Sequence, residues 1–112
     1  MVALGSSEEK LNRVLQDLGR ALQGMYGDRL IHLILFGSHA RQEATDDSDI
    51  DVMIVLRDPV SPGDEIFRMS AVKTDLNLKH DVLISVIPIS ESDYQTRHTP
   101  LLNAIHQEGI AV

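Results

Sequence analysis

Apolar residues along this chain follow two rhythms, and the change from one to the other divides it into helices and strands. Leu11, Val14, Leu15, Leu18 and Leu22 recur at helical spacing and form one apolar stripe. Ser6-Ser7-Glu8-Glu9 ahead of it has the form of a capping box, with Glu9 three residues after Ser6, and Gly24 and Gly27 mark the helix end. The runs from Arg29 to Phe36 and from Ile50 to Arg57 are short and rich in branched aliphatic residues, which predicts two buried strands. Asp58 to Asp64 then forms a turn, with Ser61 as N-cap and Pro62 at the first position of a second helix. Ile66, Met69, Val72 and Leu76 are its expected buried stripe. Asp81 opens a third strand running to Ile89, and Pro88, which has no N–H, places that strand at a sheet edge or ends it. Ser90 to Asp93 is a further capping pattern. Thr99-Pro100 starts a last helix with Leu101, Leu102 and Ile105 as its apolar face, and Gly109 stops it.

The polar segment between the first two strands carries the candidate chemistry. The first run stops at Gly37-Ser38, and Asp49-Ile50-Asp51 opens the second. A short helix from Ser38 to about Gln42 would aim free N–H groups and a positive dipole end outward, a ready site for phosphate. Asp49 and Asp51 are two apart on an extended strand and so share a face. At roughly 4 Å and an effective dielectric near 20, their repulsion is on the order of 4 kcal/mol. A divalent cation removes that cost, and Mg²⁺ is the usual partner of carboxylates that also meet substrate phosphates. A phosphate cradle facing a carboxylate pair outlines a nucleotidyl- or phosphoryl-transfer site. Asp46 and Asp47 read as solvated loop residues, and His32 as a packed or satisfied strand residue and not a ligand.

Composition narrows the classes. The 112 residues form one domain, 1–112, large enough for a core. Acidic residues outnumber basic ones 17 to 10, a net charge of −7, which argues against binding a nucleic-acid backbone. The absence of cysteine excludes a disulfide framework, a thiolate zinc site and a cysteine nucleophile. His39, His80, His98 and His106 lack the i, i+4 pairing that would suggest zinc on a helix. No apolar run reaches membrane-spanning length and no signal-peptide layout opens the chain, so a cytoplasmic location is expected.

Gly37-Ser38-His39-Ala40-Arg41-Gln42 followed by Ser48-Asp49-Ile50-Asp51 resembles the signature of the polymerase-β-like nucleotidyltransferase superfamily, and of its minimal nucleotidyltransferases in particular. Gln42 departs from the pattern, which commonly has glycine after the arginine. The resemblance implies an α+β fold, the palm-like core with a small, mixed, three- or four-stranded sheet and packed helices. It implies Mg²⁺-dependent transfer of AMP from ATP, with Gly37, Ser38, Arg41 and Ser48 binding nucleotide. Asp49, Asp51 and Asp81 would be the catalytic, metal-binding carboxylates for a pair of Mg²⁺ ions, with Asp75 as the alternative third. Arg41 is equally well read as an ion pair fixing the turn. The resemblance further implies a HEPN-type toxin as partner, its tyrosine hydroxyl as acceptor, and an antitoxin role. The competing reading is an inactive nucleotide-binding antitoxin that neutralises its partner sterically. A phosphoacceptor receiver domain also clusters aspartates but leaves Gly37-Ser38 unexplained.

Overall fold

A computed structural model describes residues 6–45 and 47–112. Helix α1 (Ser6–Tyr26) leads through a single 3₁₀ turn into strand β1 (Leu30–Phe36), and β2 (Ile50–Leu56) returns antiparallel to it. Helix α2 (Pro62–His80) crosses over to β3 (Ile84–Ser90), which lies parallel to β2. Two further helices follow, α3 (Glu91–Thr96) and α4 (Pro100–Glu108), and then β4 (Ile110–Ala111) pairs antiparallel with β1. The sheet is therefore mixed, in the order β3-β2-β1-β4. The capping box at Ser6 falls on a side chain outside the described residues.

Strand β2 is central, and its sequence shows why. Val52, Met53, Ile54, Val55 and Leu56 are each 1% exposed or less, because helices cover both faces of the sheet. Val14, Leu18 and Leu22 of α1 and Met69 and Leu76 of α2 pack with Val52 and Ile54 on one face. Leu102 and Ile105 of α4 pack with Ile34, Met53 and Val55 on the other. Pro88 is accommodated because β3 is an edge strand, as expected, although the strand runs on to Ser90.

Four sequence expectations are corrected. The stripe of α2 is Glu65, Met69, Val72 and Leu76, a regular i, i+4, i+7, i+11 series, and Ile66 lies off it at 46% exposure. Counting only apolar residues selects Ile66 and misses a buried carboxylate. Asp81 does not open β3. It caps α2 in the left-handed conformation (φ 53°), and the strand starts three residues later at Ile84. Leu101 is 45% exposed while Leu102 and Ile105 are buried. The segment after Ser38 is a hydrogen-bonded turn and not a helix.

Glu65, 4% exposed, is tolerated because its charge is fully partnered. It accepts a hydrogen bond from the Tyr26 hydroxyl at 2.9 Å and pairs with Arg29 at 3.6 Å and Arg68 at 3.7 Å. Burial, then the Glu65 hydrogen bond and charge, push the Tyr26 phenol up to about 12. A phenol raised in this way contributes stability that is complete below its ordinary value and is lost as pH rises through the folded one. Tyr26→Phe should cost about 1–2 kcal/mol, since it leaves a buried carboxylate short of a donor. Thermal unfolding checks the cost. An ultraviolet titration of the two tyrosines should lose its late-titrating component in the variant.

Candidate active site

The sheet places Gly37 and Asp51 side by side. Phe36 pairs with Asp51 across β1 and β2, so the chain leaves β1 beside the N-terminal end of β2. Gly37 has φ 75°, in the left-handed region, and any Cβ there would collide with the Asp51 carboxylate. Glycine is needed twice, for the backbone angle and for the close approach.

The turn that follows is built by its own amides. Arg41 N–H donates to Gly37 O (3.2 Å), Gln42 N–H to His39 O (3.3 Å) and Glu43 N–H to Ser38 O (2.9 Å). The last two are the paired bonds that close a single helical turn when the residue between them is left-handed. That residue is Gln42, with φ 59°. The usual glycine at this position is thereby explained, and so is the brevity of the turn. The N–H groups of Ser38, His39 and Ala40 make no hydrogen bond among the described residues, so a set of unpaired amides survives without a helix.

Asp51 is the second residue of β2 and Asp49 lies one residue ahead of the strand, near enough for its charge to act on Asp51. Burial, and next the charge of Asp49, hold the Asp51 carboxyl above its ordinary value, with His39 and Arg41 partly opposing. Neither carboxylate has an ion-pair partner among the described residues. Two neighbouring carboxylates without an ion-pair partner fit a divalent metal ion.

The other predicted residues are placed as follows. Arg41 bonds Glu43 at 3.2 Å and pairs with Glu108 at 3.6 Å, so it ties the turn to the end of α4. The Ser48 hydroxyl accepts from Thr45 N–H at 2.9 Å and closes the loop ahead of Asp49. Asp81 is exposed and shares with Asp49 a cleft of about 660 Å³, also lined by Lys10, Arg13 and Leu83. Among the described residues, no three His, Cys, Asp or Glu side chains converge as a metal-binding group, so Asp81 does not join the pair in a preformed cluster. Asp75 is exposed on α2.

Sequence reasoning missed His39, Lys10 and Arg13. His39 Nε2 lies 3.4 Å from Ser48 O, bridging the turn and the Asp49 loop. Lys10 Nζ donates to Asp81 O at 3.2 Å. Their only signal was position, His39 next to Ser38 and the two cations three apart on α1, and neither becomes meaningful until the chain is folded.

A glycine turn with unpaired amides stands beside a pair of carboxylates, N–H donors of the kind that suit phosphate next to oxygen ligands of the kind that suit a divalent cation. The chain belongs to the nucleotidyltransferase domain family, whose profile matches residues 11–109. A Methanocaldococcus jannaschii protein named "Putative protein adenylyltransferase" is 38% identical over 86 residues, 76% of each chain. A solved structure described as a "putative minimal nucleotidyltransferase" superposes with a TM-score of 0.62 at 20% identity, covering 99% of this chain and 100% of that one. A toxin–antitoxin crystal structure with AMP-PNP superposes with a TM-score of 0.58 at 18% identity, covering 93% and 70%. The structural matches carry the fold, and the family match carries the class of enzyme.

Gln42→Gly relieves a left-handed side-chain penalty of about 1–2 kcal/mol, while glycine loosens the unfolded chain by about 0.4–1 kcal/mol. The variant should gain about 0.5–1 kcal/mol in denaturant unfolding, with transfer activity unchanged or slightly higher.

Proposed function

We propose that this protein transfers AMP from ATP to a hydroxyl group of a partner protein, most specifically a tyrosine of a HEPN-type toxin, and so acts as its antitoxin. The observation that carries the reading is the juxtaposition of Gly37 with Asp51. It sets the free amides of the Ser38 turn beside the carboxylate pair.

In this reading the amides of Ser38, His39 and Ala40, with the Ser38 hydroxyl, hold triphosphate oxygens. The acceptor hydroxyl oxygen attacks the α-phosphorus. A phosphorus–oxygen bond to the acceptor forms, the bond to the bridging oxygen breaks, and pyrophosphate leaves. The acceptor hydroxyl gives up its proton to solvent water as it attacks. Asp49 and Asp51 would hold Mg²⁺, which when bound neutralises triphosphate charge and lowers the cost of bringing the two carboxylates together. Ser48 and Arg41 act through position, the first by shaping the loop before Asp49 and the second by anchoring the turn to α4.

Supporting the protein acceptor are the adenylyltransferase name of the Methanocaldococcus relative and the toxin–antitoxin context of the AMP-PNP structure. The test is co-expression with the product of the neighbouring reading frame, followed by intact-mass measurement. The partner should gain one or more AMP masses, dependent on ATP and Mg²⁺. Asp49→Asn with Asp51→Asn should abolish the gain and leave the metal-free fold unchanged or up to about 1 kcal/mol more stable, because like charges are removed. An unmodified partner that is still inhibited in a tight complex would establish the steric reading instead.

A further inference from the structure

The strand beside the carboxylate pair is β3, and its register with β2 fixes which residue stands next to Asp51. Ile50 pairs with Ile84 and Val52 with Val86, all facing the core under α1 and α2. Met53 pairs with Ile87 and Val55 with Ile89, all facing the α4 side. Asp51 pairs with Ser85, so by the same alternation the two point to one face, on strands about 4.8 Å apart. Ser85 is exposed, and β3 (Ile-Ser-Val-Ile-Pro-Ile-Ser) contains no carboxylate. Asp81 lies outside this row. It precedes β3 in the left-handed cap of α2, its backbone carbonyl is engaged by Lys10, and the cleft that it lines with Asp49 is not lined by Asp51.

We propose that Ser85 and not Asp81 occupies the third position of this site. The donor set is then two carboxylates and a hydroxyl, which holds one divalent cation by the protein's own side chains before nucleotide arrives. The inference rests on Asp49 and Asp51 as the cation-binding pair. Ser85 stands abreast of Asp51 on the neighbouring strand, where its hydroxyl completes that donor set.

The test uses Mn²⁺ alone, titrated calorimetrically into the purified full chain without nucleotide, with thermal unfolding in parallel. Ser85→Asp adds a carboxylate abreast of Asp51. It should lower the metal-free melting temperature through like-charge repulsion, restore it on Mn²⁺ addition, and tighten Mn²⁺ binding about tenfold. Asp81→Asn should stay within about twofold of the parent, with a stoichiometry of one ion per chain. About tenfold weakening in Asp81→Asn, or unchanged affinity in Ser85→Asp, would overturn the assignment. Asp49→Asn with Asp51→Asn separates the two readings. If Mn²⁺ binding persists there, the cation pair itself is wrong. If binding is lost there and Asp81→Asn also weakens it, only the placement of Ser85 fails.

Discussion

A carboxylate packed against a residue with no side chain is the contact on which the site depends. Asp51 can stand beside the turn only because Gly37 leaves room, and Gly37 can turn only because its φ of 75° costs glycine little. One residue thus answers two demands at once, a reversal of the backbone and a close approach. From it follows the nearness of the unpaired amides of Ser38 to Ala40 to the Asp51 carboxylate. An alanine there would face a strained angle and a clash together, and the shift needed to relieve them would separate the turn from Asp51.

Charged residues held in a fixed place need a rigid support, and β2 supplies it. Its last five residues are essentially inaccessible, packed by α1 and α2 on one face and α4 on the other. Asp51 projects from the end of this most constrained strand, and Asp49 lies just ahead of it. The destabilising pair is therefore carried where burial of apolar surface is most complete. Ion pairs hold the surroundings in the same way. Arg41 with Glu108 links the turn to α4, and Lys79 with Asp17, at 3.0 Å, joins the end of α2 to α1, where a hydrogen bond between His80 and Asp17 at 2.8 Å adds to it.

What could be read from the sequence divides along physical lines. Helices α1, α2 and α4 and the three long strands are legible because periodicity reports burial, and Gly37-Ser38 because it ends an apolar run in a turn, whereas the six residues of α3 show only their capping pattern. Ile66 against Glu65 marks the limit of that method. The period was right, but a buried acid at a stripe position is invisible to an apolar count until Tyr26, Arg29 and Arg68 are seen to partner it. The fourth strand, Ile110–Ala111, is too short to show a period at all. His39, Lys10 and Arg13 reach the site through tertiary placement, which local pattern cannot encode.

Asp81 and Gln42 show why a motif fixes chemistry better than it fixes neighbours. Both occupy left-handed positions that glycine or asparagine would take more easily, at 53° and 59°. In Gln42 this conformation closes the turn after a single winding, so the free amides of Ser38 to Ala40 stay at the surface instead of starting a longer helix. In Asp81 it ends α2 before β3 can begin, which holds that carboxylate three residues short of the strand. The register then slides Ser85, not an acid, into the row with Asp51. Across β1, β2 and β3 the row reads Phe36, Asp51 and Ser85, with one carboxylate in it.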